Sequence, residues 1–348
     1  MTADRPLRTA DFAYHLPPEL IAQTPGTERG GSRLLIVRRR GGAAGLHDSA
    51  FADVIDLIPA GDLLVLNSTR VRHARLLGTR PSGAPAEVLL IHPSTDGSWI
   101  AIGKPGSALK PGKRITLGPE SEIETLEVLP DGERRVRFVG MPAEDAVTKY
   151  GKLPLPPYIE RDPTADDEAR YQTVYAEREG SVAAPTAGLH FTEAMLAELR
   201  GRGVHIATLD LEVGPGTFKP VEEEEIATHP MHPERFEIPA AVATAIREAR
   251  VRGAAVWAVG TTVVRALESA AQEDGTVTAG AGETRLLIAP GYAFKVVDHL
   301  LTNFHLPRST LLMLVAAFAG YDLTMAAYRH AVDQRYRFYS YGDAMCIL

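Results

Sequence analysis

The chain has 348 residues, a formal net charge of −7 and 45% hydrophobic residues. That length admits two domains or one large one, and the apolar content suffices for a sizeable core. Its single cysteine, Cys346, excludes an internal disulfide, a cysteine-rich metal site and a three-cysteine iron–sulfur cluster built by this chain alone. In its apolar C-terminal run Cys346 reads as a packed residue. The N-terminal MTADRPLRTADFAYHL lacks the apolar stretch of a signal peptide, and the longest apolar run, Leu311 to Ala319, is too short to span a bilayer. A soluble cytoplasmic monomer with no membrane contact is expected. The acidic balance argues against a general nucleic-acid binder but is compatible with a local basic groove.

Residues 1–67 open with the Pro-bounded DFAYHLPPELIAQTP and carry two expected strands, Leu34 to Val37 and Leu63 to Leu66. From 68 to 152 short apolar runs (AEVLLIH, SWIAIG, KRITL, IETLEVL, RRVRFV) alternate with Pro-Gly and Asp-Gly punctuation. That spacing predicts a small antiparallel sandwich or barrel, with one helical period over Ala143 to Tyr150. Beyond 153, strands are expected at Val204 to Val213, Ala254 to Val259 and Arg285 to Ile288. Helices are expected from Thr192, an N-cap, to Arg202, over Pro239 to Arg252 and Thr261 to Gln272, and from Ser309 and Asp322. The alternation predicts an α/β domain with a mixed or parallel sheet, made of 1–67 and 153–348 and interrupted by an inserted antiparallel β-barrel at 68–152.

Several segments carry polar groups inside apolar surroundings, where burial costs free energy unless partners are found. In AAVWAVGTTVVRALES a buried strand runs through Gly260, Thr261 and Thr262 into a helix that carries Arg265. Such a helix N-terminus suits a carboxylate or phosphate, and plain N-capping by threonine explains it equally. EVGPGTFKP places Gly214, Gly216 and Thr217 after a strand, as a tight turn or as a wall around a flat base. PTAGLHFT crowds Thr186 and His190 at a helix start, where His190 is either an acid–base group or a structural hydrogen-bonding residue. THPMHPERFEI holds His232 and Glu234, but its two prolines prevent the helix a metal pair would need. LTNFHLPRST supplies Asn303 and His305. In YRFYSYGDAM, Arg337, Asp343 and four aromatics are either an RNA-stacking surface or a strand packing on the core. Arg70, Arg72, Arg75 and Arg80 form an arginine cluster free of acids, a candidate RNA contact beside the plain reading of solvated charge. No Gly-x-Ser-x-Gly elbow or phosphate loop is present, which argues against a hydrolase or phosphotransferase.

Nearly end to end, these segments resemble the S-adenosylmethionine:tRNA ribosyltransferase-isomerase family of queuosine biosynthesis. LLVLNSTRVRHARLLG, LPLPPYI, RYQTVYAEREGSVAAPTAGLHFT, MHPERFEI, GTTVVRALES, PGYAFKVVDHLLTNFHLPRSTLLMLVAAFAG and YRFYSYGDAM carry the likeness in order. Lys152, His299 and Val263 depart from the family pattern, where His, Gly and Ser are common. The resemblance implies transfer and isomerisation of the ribosyl part of S-adenosylmethionine onto 7-aminomethyl-7-deazaguanine at the tRNA wobble position. Adenine and methionine leave, S-adenosylmethionine is consumed as a co-substrate, and no metal or other cofactor takes part. On that basis Thr261, Thr262 and Arg265 are candidates to anchor the methionine carboxylate. His190, His232, Glu234 and His305 are candidates for proton transfer, Asp298 and Asp343 for holding the sulfonium or the substrate amine, and Arg70, Arg72, Arg75 and Arg337 for tRNA. The rival reading is a non-catalytic RNA-binding protein using the β insert.

Overall fold

Nine strands share one mixed sheet in the computed structural model, which describes residues 7–39, 45–130, 132–214 and 223–348. The order runs Gly280–Thr284, Glu234–Ile238, His205–Leu211, Leu63–Asn67, Val256–Val259, His299–Asn303, Ala344–Ile347, Arg33–Val37 and Leu46–Ala50. The four strands from His205–Leu211 to His299–Asn303 are mutually parallel. Leu63–Asn67 and Val256–Val259 are buried at every position, as parallel strands covered on both faces must be. The side-chain period of two divides the core. Leu63, Val65, Val256 and Ala258 face the helices Ala240–Arg252, Thr261–Ser269, Thr310–Ala319 and Tyr321–Asp333. Leu64, Leu66, Trp257 and Val259 face the helix Glu193–Gly201 and Phe51.

A separate antiparallel sheet of seven strands lies between Arg75 and Lys152 and packs its own core around Leu76, Val88, Trp99, Ile123 and Val136. It curls until Arg75–Thr79 meets Arg114–Gly118 at the pair Thr79 and Thr116. The helix expected over Ala143 to Tyr150 is present.

Several elements depart from the sequence expectations. The strand near 285 is instead Gly280–Thr284, a glycine-rich run without an apolar signal. It stops where Thr284 Oγ1 accepts the Leu286 amide at 3.1 Å, a local bond that competes with pairing. The helix from Thr261 ends at Ser269, because the chain turns back there and Thr278 N donates to Ala270 O at 2.9 Å. Glu234–Ile238, His299–Asn303 and Ala344–Ile347 are strands that periodicity did not mark. The C-terminal aromatics pack into the core, with Tyr336 and Phe338 fully buried, so they are not an exposed stacking surface. Cys346 is fully buried beside them in the last strand, and burial raises its thiol pKa. No single described helix is long and apolar enough to cross a membrane.

Candidate functional site

The four parallel strands end on one side of the sheet, at Asn67, Leu211, Val259 and Asn303. Because Ala344–Ile347 runs antiparallel to His299–Asn303 and parallel to Arg33–Val37, the starts of both lie on that same side. Strand ends and loops of an α/β sheet therefore converge there, as at ligand sites of open sheets. A narrow cavity of about 70 Å³ opens at this edge, with Thr186, Gly260, Thr261, Thr262, Asn303 and His305 in its wall. Its remaining wall is largely apolar, including Ala187, Val213, Phe304 and Leu311.

Gly260 makes the corner possible. Its φ of 93° lies where a side chain would be strained, and the helix begins immediately after it. The first turn thus presents unpaired N–H groups and the positive end of the helix dipole toward the cavity. Thr262 Oγ1 is buried and has no hydrogen-bond partner among the described residues. An unsatisfied buried hydroxyl is costly, and a ligand group would relieve it.

His190 and Asn303 form the back of the site. Asn303 Nδ2 donates to Tyr339 O at 3.0 Å and to His190 Nε2 at 3.1 Å. The first bond orients the amide, since only its nitrogen can face a carbonyl. It follows that His190 Nε2 accepts and Nδ1–H donates, to Ser32 Oγ at 2.7 Å. With 6% of its surface exposed and its ring stacked on Phe51, His190 is desolvated, and this together with Arg29 lowers its pKa to about 4. It stands behind Asn303 and is not part of the cavity wall. Asn303 Oδ1, by contrast, is buried without a partner among the described residues.

His305 does reach the cavity. Its Nε2 lies 2.8 Å from Thr302 Oγ1, its amide donates to Tyr328 Oη at 3.0 Å, and its carbonyl accepts from Tyr14 Oη at 2.5 Å. Burial lowers its pKa to about 3, so it is a neutral imidazole at physiological pH.

The other candidates lie elsewhere. Arg265 and Glu234, each about 5% exposed, form a buried ion pair with one another, and Arg265 Nε also donates to Leu286 O at 3.2 Å. The charge of Arg265 is thereby matched by protein, although its Nη2 is buried without a partner among the described residues. His232 is half-buried in the extended stretch before Glu234–Ile238 and does not line the cavity. Asp298 is removed from the site. It precedes the His299–Asn303 strand and so sits at the opposite end of the sheet, where it pairs with Arg250 at 2.7 Å and accepts the Val256 amide at 2.8 Å. Gly214 follows the cavity residue Val213 without lining the cavity, and Gly216 and Thr217 fall outside the described residues.

Asp343 is 5% exposed and accepts the backbone amides of Arg33 and Arg337, each at 2.8 Å. Each of its oxygens thus accepts one backbone amide, which fixes the carboxylate at the wall of a second cleft. Among the expected RNA contacts, Arg75 is paired with Glu87 at 2.9 Å and Asp162 at 3.4 Å. Arg72 lies over Trp99 and 3.9 Å from Glu179, and Arg70 donates to Ala176 O. Arg337 is apart from these, in a second cleft that shares Ser340 with the cavity.

Ser32, Thr302 and Ser340 were not marked by the sequence. Each acts through a residue distant in the chain or through a strand end, so no local pattern marks it. Thr302 and Ser340 carried a trace, on the segments LTNFHLPRST and YRFYSYGDAM already singled out.

The chain matches the family described as queuosine biosynthesis protein over residues 9–347. A relative from Thiobacillus denitrificans, named S-adenosylmethionine:tRNA ribosyltransferase-isomerase, is 52% identical over 339 residues that cover 97% of each chain. One of the same name from Cupriavidus metallidurans is 50% identical over 346 residues, 98% of each chain. A crystal structure of S-adenosylmethionine tRNA ribosyltransferase from Thermotoga maritima is 37% identical, with a TM-score of 0.56, and covers 97% of this chain and 100% of its own.

Proposed function

The chain belongs to the queuosine biosynthesis protein family and is an enzyme, a transferase, and on that premise we propose that it transfers and isomerises the ribosyl part of S-adenosylmethionine onto 7-aminomethyl-7-deazaguanine at the wobble position of tRNA. Epoxyqueuosine-tRNA, adenine and methionine are the products. S-adenosylmethionine is a consumed co-substrate, and no further cofactor takes part. The observation that supports this reading is the pairing of two compartments. A narrow cavity with unsatisfied Thr262 Oγ1 and Asn303 Oδ1 in or beside its wall shares Ser340 with an open, arginine-rich cleft.

The chemistry sets three requirements. A proton beside the sulfonium must be removed, adenine must be helped to depart, and the methionine tail must be held. A sulfonium is a cation, so an imidazolium would repel it; His305, kept neutral by burial, can lie beside it as the proton acceptor, and the same burial weakens it as a base. The N-terminus of the Thr261–Ser269 helix suits the tail carboxylate, with the Thr262 hydroxyl as an added donor. Asn303 Oδ1 is an acceptor for an N–H or O–H of the ligand. At about 70 Å³ the cavity fits one arm of S-adenosylmethionine, with the rest directed toward the cleft. We read residues 68–152 as an inserted domain and its curled sheet as a small barrel, on the strength of the Thr79–Thr116 closure.

Purified protein, S-adenosylmethionine and tRNA carrying the aminomethyl-deazaguanine base test the reading, with small products and tRNA mass both followed. Adenine and methionine release with ribosyl mass gained on the tRNA is the expected result. Binding of the tRNA with no adenine released would establish the non-catalytic alternative. Within the assay, His305→Ala should lower turnover roughly 10²–10⁴-fold, the range for an acid–base group, with the circular dichroism spectrum retained. Turnover equal to wild type would remove His305 from the mechanism.

A further inference from the structure

The second cleft, about 380 Å³, is lined by five arginines, Arg29, Arg33, Arg170, Arg335 and Arg337, against two acids, Glu28 and Asp343. This concentration of positive charge occurs on a chain whose net charge is −7. Arg33 is accounted for, since its guanidinium lies 3.7 Å over the Tyr336 ring and 3.5 Å from Asp48. The others are held differently. Arg29 donates to the carbonyls of Leu189 and Ala169, both at 3.0 Å, Arg170 reaches Thr27 O at 3.5 Å, and Arg337 donates to Thr24 O. Backbone carbonyls orient a guanidinium without cancelling its charge. Burial, and next the neighbouring Arg170, holds the pKa of Arg29 below its ordinary value, the mark of like charges gathered at part-buried sites.

The backbone that presents these groups is specially shaped. Arg335 has φ 55° and Tyr339 φ 70°, a region that residues other than glycine rarely adopt. A side chain at Gly342 would meet Arg337 O at 2.5 Å. Asp343, bonded to the amides of Arg33 and Arg337, ties the two arginine-bearing segments together. Strain of this kind persists where the surroundings enforce it, and here it aims arginines into one cleft beside the cavity.

We propose that this cleft seats the backbone phosphates of the tRNA, with Arg29, Arg170, Arg335 and Arg337 as the contacts, so that the wobble base enters from the cleft side past Ser340. The proposal rests on the tRNA reading above. Arginine forks match phosphate oxygens, and four guanidiniums that form no ion pair with a carboxylate among the described residues, with Asp343 the nearest acid to Arg337, exceed what the single carboxylate of a methionine tail would require. The Arg70 to Arg75 group is less suited, because Arg72 and Arg75 already face Glu179, Glu87 and Asp162.

Fluorescence anisotropy of a labelled tRNA across a salt series tests the seat, in Arg29→Gln/Arg170→Gln and, separately, in Arg335→Gln, whose side chain is exposed and whose circular dichroism spectrum is expected to match wild type. Each lost phosphate contact should lower the slope of log K against log salt by roughly 0.7–0.9. The double variant should lose about tenfold or more in affinity at physiological salt, and S-adenosylmethionine affinity by calorimetry should stay at the wild-type value. Wild-type slopes in both variants would overturn the proposal. So would loss of S-adenosylmethionine affinity with RNA binding intact, which would assign the cleft to the methionine carboxylate. If the slopes fall yet the wild-type protein releases no adenine, the seat stands and the transferase reading fails. If adenine is released and the slopes are unchanged, only the seat fails.

Discussion

His190 illustrates how a residue's surroundings decide its chemistry. Its imidazole is held between Ser32 and Asn303 in a desolvated pocket, and its pKa falls from an ordinary 6.5 to about 4. In the unfolded chain the same group binds a proton near pH 6.5. Between pH 6.5 and about 4 the unfolded state therefore holds more protons, and stability declines as pH falls through that window. The loss attributable to His190 is about 3 kcal/mol by the bottom of the window and only about 0.2 kcal/mol at pH 7, where the folded imidazole is neutral and the unfolded one about a quarter protonated. Urea unfolding of His190→Gln should show a shallower decline over that range, and a decline parallel to wild type would contradict the assignment. Glu234 and Arg265 are a second case. Removing one partner of a buried ion pair strands the other, so Glu234→Ala should cost about 3–5 kcal/mol by denaturant unfolding. The double replacement Glu234→Leu/Arg265→Met should recover much of that loss. A single variant as stable as wild type would mean that the pair is not formed in solution.

At the scale of elements, direction matters more than identity. Asp298 and Asn303 flank one five-residue strand, His299–Asn303, yet they serve opposite ends of the sheet. Asn303 meets His190 and sits at the ligand edge, whereas Asp298 anchors Arg250 and the start of Val256–Val259. Asp298→Asn should accordingly leave kcat/KM within about twofold and lower stability by about 1 kcal/mol, the scale of one charge-assisted bond weakened. A tenfold fall in kcat/KM with stability unchanged would return Asp298 to the site. The helix Glu193–Gly201 was legible residue by residue. Thr192 Oγ1 accepts the Met195 amide at 3.1 Å, the N-cap bond that a threonine before an apolar period predicts. The strands Glu234–Ile238 and His299–Asn303 were not legible, since ERFEI and HLLTN carry no apolar run longer than two residues and their pairing comes from distant segments.

Across the whole molecule, charge placement separates two groups of arginine that look alike in sequence. The Arg70 to Arg75 group reads as a run without acids, but the antiparallel sheet and the 162 and 179 segments bring carboxylates to it. The cleft group comes from three segments, at 29–33, 170 and 335–337, none of which forms a run comparable to the first. Arg75→Gln should therefore leave the salt slope of tRNA binding within error of wild type. A slope lowered as much as in the cleft variants would place RNA on the antiparallel sheet as well.

Sequence by itself determined the α/β alternation, the presence of an antiparallel segment, whose sheet runs from Arg75 to Lys152, the Gly-Thr-Thr corner and the family, because these rest on local periodicity, turn chemistry and contiguous motifs. It also singled out the segments that build the cavity: PTAGLHFT, GTTVVRALES and LTNFHLPRST. Only the tertiary structure decided which of their polar residues meet. It set His190 behind Asn303 and His305 at the cavity, closed Glu234 onto Arg265, sent Asp298 to the far end of the sheet and gathered the cleft arginines. Those outcomes depend on strand direction and on contacts between residues 31 to more than a hundred positions apart, and no local pattern encodes them.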